Sequence, residues 1–175
     1  MQKKILLLCL SLAGMGTLYL AFSIPRKLRE QAQQQERVQA LPAFQFGTLN
    51  NTFFSNDNLK SNQSALVIYF NPDCEHCQYE ARAIRDSLHR FAAVNVLLVS
   101  DEPMERLQQF AQEYDLADQP NIHILYDEKR QFKALFGTSM VPSIFIYNRE
   151  QQLVKHFKGE TKIEAILKYL DQEIE

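Results

Sequence analysis

Apolar and polar positions along the chain fall into blocks whose period changes several times. Ala65 to Phe70 is an unbroken apolar run, the mark of a strand buried on both faces, and it stops at the turn signal Asn71-Pro72. Beyond it Cys77, Ala81, Ile84, Leu88 and Phe91 recur at helical spacing, so the chain passes from strand to helix at Cys74. Val94 to Val99 predicts a second buried strand. Met104, Leu107, Phe110, Ala111 and Tyr114 predict a helix over about 103–114 with Pro103 in its first turn. Asn121 to Tyr126 predicts another strand, and Lys129 to Phe136 a short helix closed by Gly137. Ile144 to Tyr147 and Leu153 to Phe157 pair as a hairpin across Asn148 to Gln152, and Thr161 to Glu173 forms a packing helix with Thr161 and Glu164 in capping-box positions. Ahead of all these, Phe44-Gln45-Phe46 and Thr52-Phe53-Phe54 flank Gly47 to Asn51 as a short hairpin. Such alternation predicts an α/β fold with a mixed central sheet and flanking helices.

The N-terminus has a different pattern. Lys3-Lys4 precede Ile5 to Ile24, a segment without charge that is long enough as a helix to cross ~30 Å of hydrocarbon, whereas secretory apolar regions run to about 7–15 residues. This predicts an uncleaved transmembrane signal anchor over 1–24. A cleaved signal peptide ending at Ala21-Phe22-Ser23 is the competing reading. Cys9 follows bulky Leu8 after a very short apolar run, which suits a passive membrane-helix residue better than a lipidation site. Lys3 and Lys4 are opposed by Arg26, Lys27 and Arg29, so the positive-inside rule does not orient the segment. Such a leader normally carries the following domain out of the cytoplasm. The expectation is a single-pass protein of the cell membrane with its domain on the extracytoplasmic (periplasmic) side. Residues 25–40, rich in Gln and charge, read as a polar stalk. Residues 41–175 remain for one domain of ordinary size.

Composition narrows the function classes. A net charge of -2, with no basic stripe interleaved with aromatics, makes no case for nucleic acid, and three cysteines are too few for a disulfide framework. Two of those cysteines, in Cys74-Glu75-His76-Cys77, stand at the strand-to-helix junction. The free N–H groups and the positive dipole end of a helix favour an anion, and a cysteine there drops from ~8.5 toward about 3.5–7.5 in pKa. Cys74 is therefore the expected nucleophile. Cys77, nearly a turn deeper on the apolar stripe, is placed to resolve a mixed disulfide on Cys74. A protonated His76 would stabilise a thiolate, while Asp73 and Glu75 would oppose it. Glu80, one turn past Cys77, is either a proton acceptor for Cys77 or a solvated surface glutamate.

The run NPDCEHCQYE together with GTSMVPSIFIYN resembles a thioredoxin-like domain of the TlpA/ResA/redoxin type, the membrane-anchored thiol-disulfide oxidoreductases of bacteria. The resemblance covers about residues 41–175. It implies a thioredoxin-like fold with an N-terminal hairpin and a helix-strand insertion, here 103–114 and 122–126. It also implies the glutamate three residues past the CxxC, matched by Glu80. A cis-proline loop facing the cysteines is matched by Val141-Pro142, whose Val141 backbone would hold an incoming peptide strand. Thioredoxins proper usually carry an aromatic before the first cysteine and an aspartate six residues upstream, where this chain has Asp73 and Ile68. Arg82 stands where the TlpA-like group often has proline. These departures touch the redox potential and the proton route, not the dithiol chemistry.

The expected function is exchange of a Cys74/Cys77 disulfide with protein thiols outside the cytoplasm, with reduction of the partners as the expected direction. No cofactor beyond that disulfide is expected. Partners are protein dithiols or disulfides, apocytochrome thiols among the implied candidates, and a membrane or envelope electron donor. A redoxin-like copper carrier is one alternative, since the CxxC and His76 offer three ligands. A closed metal site would want a further pair, however, and His89, His123 and His156 are isolated, the last two on strands where packing explains them. A thiol peroxidase is the other alternative. Peroxiredoxins usually place threonine where this chain has Asn71.

Overall fold

The computed structural model describes residues 19, 22–26, 29 and 36–171. The chain divides into two compact units, 1–36 and 37–175. In the first, Tyr19, Phe22 to Arg26 and Arg29 are helical. The anchor expected over 1–24, Cys9 included, lies mostly outside the described residues, as does much of the stalk. Among the described residues no helix is long and apolar enough to cross a membrane.

The second unit is built on a seven-stranded sheet. Its elements in chain order are β1 (Gln45–Thr48), β2 (Phe53–Ser55), β3 (Ser64–Tyr69), α1 (Glu75–Asp86), β4 (Val94–Ser100), α2 (Met104–Glu113), β5 (Ile122–Tyr126), α3 (Phe132–Phe136), β6 (Ser143–Tyr147), β7 (Leu153–Lys158) and α4 (Ile163–Asp171). Strand order is β2-β1-β5-β4-β3-β6-β7. The β3–β4 and β4–β5 pairs are parallel and all others antiparallel, so the sheet is mixed, as expected.

Strand alternation sorts the core into two layers. Leu66, Ile68 and Phe70 face one side, with Cys77, Ala81 and Ile84 of α1, Leu107, Phe110 and Ala111 of α2, and Ile166, Leu167 and Leu170 of α4. Ala65, Val67 and Tyr69 face the other, with Phe132 and Phe136 of α3 and Phe44, Phe46 and Phe54 of the N-terminal hairpin. This two-sided burial explains the unbroken apolar run of β3, every residue of which is buried.

Several boundaries differ from expectation for identifiable reasons. The α1 helix stops at Asp86, and Leu88–Phe91 continue as a 3-10 turn that still buries Phe91 completely. Pro103 is the N-cap of α2, not a residue of its first turn, and Met104 is only half-buried. The short helix expected from Lys129 begins at Phe132, because Arg130 has φ 50°, outside right-handed helical space. Asp127 caps it instead, accepting the Gln131 and Phe132 amides at 3.0 and 2.7 Å. Gly137, at φ 75°, closes it as expected. Thr161 does not form a capping box with Glu164: α4 starts at Ile163, and the Thr161 N–H is given to Glu80. Residues 39–41, partly assigned to the stalk, lie along the start of β7, where Ala40 bridges Gln152 and Gln39 accepts the Leu153 amide at 2.7 Å.

Candidate active site

The site lies where β3 runs out. The Phe70 amide still donates to Val99 at 2.9 Å, extending the β3–β4 ladder, and Asn71 then turns the chain. Its side chain organises the turn: Asn71 Oδ1 accepts the Asp73 amide at 2.7 Å, and Nδ2 donates to Glu102 Oε1 at 2.7 Å. The Cys74 amide donates to the Asn71 carbonyl at 3.1 Å, and the Gln78 side chain secures the Pro72 carbonyl at 2.9 Å.

Cys74 is the N-cap of α1, extended in backbone conformation, with its carbonyl accepting the Gln78 amide at 3.0 Å. Its side chain makes no capping hydrogen bond, so no N-cap oxygen competes for the positive end of the helix. Cys74 is half-buried and Cys77 is buried at 3% exposure, both as free thiols. Burial above all pushes the Cys77 thiol up to about 12; the Asn71 backbone amide pulls it down, while bonding to Cys74 and the charge of Glu80 raise it further. The pair thus divides into a reachable sulfur and a shielded, protonated one.

Glu80 occupies the turn below Cys77 and is only 3% exposed. The surface reading is therefore the wrong one for this side chain. Its Oε1 accepts the Thr161 amide at 2.8 Å, while buried Oε2 has no partner. Burial raises its carboxyl to about 7, against the lowering effect of the Thr161 bond and with a further push from Glu160. A carboxyl so poised exchanges a proton near neutral pH.

The Val141-Pro142 peptide bond is cis. Tyr69 pairs with Ser143, so this loop enters β6 at the end of the sheet where β3 delivers the cysteines. Val141 and Cys74 both pack against the core layer that holds Cys77. The Pro142 carbonyl accepts the Gly159 amide at 2.9 Å.

His76 is exposed, with its Nδ1 paired to Glu160 Oε2. Asp73 is paired with Arg106 of α2. These two pairs, the Asn71–Glu102 bond and the Glu80–Thr161 bond were not legible in the sequence. Their partners lie far along the chain, and nothing local marks Arg106, Glu102 or Glu160 as neighbours of the cysteines. The other histidines are set apart. His123 lies against Phe54 at 4.3 Å between centroids, and His156 stacks on Phe145 at 3.9 Å, its pKa lowered to about 4 by burial and by Lys158. Both strand histidines are packing residues, as expected. Among the described residues no three His, Cys, Asp or Glu side chains are gathered as a metal site.

With this geometry in place, residues 38–156 match the model of the AhpC/TSA family. No curated protein sequence matches the chain. Solved structures match over most of its length. A Neisseria meningitidis protein described as a thioredoxin has a TM-score of 0.66 at 23% identity, covering 78% of this chain and 89% of that one. A secreted Mycobacterium tuberculosis disulfide oxidoreductase gives 0.64 at 18%, covering 78% and 98%. The peroxidoxin BcpB of the same organism gives 0.65 at 15%, covering 76% and 94%. At these identities the likeness is one of fold, and the thioredoxin-like architecture expected from the sequence is the one found.

Proposed function

The chain belongs to the AhpC/TSA family, and we propose that within it this protein is a thiol-disulfide oxidoreductase that exchanges its Cys74/Cys77 dithiol with the disulfides of other proteins. The observation that carries this reading is the division of labour in the CxxC: the half-buried sulfur of the N-cap residue above a buried thiol with a carboxyl beneath it. The Cys74 thiolate attacks one sulfur of a partner disulfide, forming a mixed disulfide and releasing the other partner sulfur as a thiolate. Cys77 then attacks Cys74 Sγ. Its proton passes to Glu80, and the second partner sulfur leaves as a thiolate that takes up a proton. The partner gains two electrons and Cys74–Cys77 becomes a disulfide, so turnover needs a dithiol donor in the membrane or envelope. No cofactor beyond the cysteine pair takes part.

Reduction of partners is the direction we assign. A dithiol whose thiolates are disfavoured is the better reductant, and burial disfavours the Cys77 thiolate. Val141 would hold the partner strand through its backbone, and His76 would lie at the rim of that contact, paired with Glu160. The uncharged run over 5–24 supports an anchor that holds the domain on the extracytoplasmic side of the cell membrane.

Replacing Cys77 with Ser should arrest the cycle after the first step. Full-chain Cys77→Ser, isolated from cells under acid quench, is expected to carry partner proteins linked through Cys74 and released by dithiothreitol. Recovery of none would remove protein disulfides from the reading. A peroxidase is the second reading, favoured by the family description and by one neighbour being a peroxidoxin. Reduced protein that consumes hydrogen peroxide faster than it reduces a protein disulfide would establish it in place of the first.

A further inference from the structure

Four charged groups of the nucleophile's own stretch and its surroundings have unequal standing in the sequence. Asp73 and Glu75 flank Cys74 directly and would each disfavour its thiolate, His76 would favour it, and Arg106 lies 33 residues beyond Asp73. The structure pairs Asp73 with Arg106 on α2 and His76 with Glu160 from the loop before α4. Further ionisable groups at this end of the sheet are Cys77 and Glu80 on α1, Tyr69 at the end of β3, Asp101 and Glu102 before α2, and Arg130, whose charge is paired with Asp101. Arg106 is the one that brings positive charge against the carboxylate preceding the nucleophile.

We propose that Arg106 is a positioning residue for the exchange reaction: by neutralising Asp73 it removes a like-charge repulsion from the Cys74 thiolate. This rests on Cys74 being the attacking sulfur. The same segment is tied to Asn71 through Glu102 at 2.7 Å, so residues 102–106 hold the turn that carries Cys74 by one neutral and one charged contact. Arg106 also donates to Gln109 Oε1 at 2.8 Å within its own helix, which steadies the guanidinium toward Asp73. Both members of the pair are largely solvent-facing, so the pair adds little to stability, and its removal changes charge without unfolding the domain. An unpaired carboxylate one residue from a thiolate acts by repulsion over a few ångströms, inside the Debye length at physiological salt.

The test is alkylation of reduced full-chain protein by iodoacetamide across pH 5–9, read at the Cys74 peptide by mass spectrometry. Arg106→Gln should slow Cys74 alkylation at pH 7 by roughly 3- to 10-fold and move its pH profile upward. Adding Asp73→Asn to Arg106→Gln should restore the wild-type profile, Arg106→Lys should largely preserve it, and ~1 M salt should shrink the difference. A merely structural role would lower the unfolding midpoint without moving the profile. An unchanged profile in Arg106→Gln, or failure of Asp73→Asn to restore it, overturns the proposal. Wild-type protein that alkylates as expected yet exchanges with no protein disulfide would overturn the proposed function and leave this one standing.

Discussion

Glu80 is the residue whose chemistry depends most on where it is buried. Its carboxyl titrates near 7 in the folded chain against an ordinary 4.5, so between those values the folded state keeps a proton that the unfolded state gives up. Stability from this group is accordingly present below pH ~4.5 and is lost as the pH rises toward 7. Glu80→Gln keeps an oxygen for the Thr161 amide and removes the titration. Urea unfolding should show the variant gaining on wild type from pH 5 to 8, by on the order of 3 kcal/mol at the upper end. A constant difference across that range would mean that Glu80 is not the buried acid of this fold. In stopped-flow exchange the same variant should slow resolution by Cys77 more than attack by Cys74.

At the scale of elements, the two short features that differ most from their sequence reading, α3 and the start of α4, are both set by carboxylates. Asp127 is fully buried and spends both oxygens on the Gln131 and Phe132 amides at the start of α3, a cap that propensity alone does not reveal because Lys129 and Arg130 look like helix residues. Asp127→Ala should cost about 1–3 kcal/mol in chemical denaturation, since it takes the partner from the buried Phe132 amide and the half-buried Gln131 amide. Asp127→Asn should cost less. The start of α4 is likewise displaced by Glu80, whose oxygen takes the amide that a local capping box would have used. The segment Gly159-Glu160-Thr161 thereby touches Pro142, His76 and Glu80 at once, and a structural loop becomes part of the active-site wall.

At the scale of the whole molecule, the core layers and the sheet belong to residues 37–175. A fragment of those residues should unfold in one cooperative transition, with coincident fluorescence and circular dichroism curves. The full chain should pellet with membranes and resist carbonate extraction, while the fragment remains in the supernatant. Full-length protein extracted by carbonate would remove the anchor from the reading.

What the sequence determined by itself is whatever follows from neighbours a few positions apart. The buried strand at 65–70, the helix stripe behind Cys77, the cysteine at the helix end and the closing glycine at 137 are all local patterns, because backbone periodicity and helix-end electrostatics act over one or two turns. What only the tertiary structure decided is which charges meet and which are hidden. Burial of Glu80 depends on the loop before α4 folding over it, and the pairing of Asp73 with Arg106 depends on α2 docking beside the cysteine turn. Desolvation and ion pairing depend on distance in space, and a chain written in one dimension does not carry that distance.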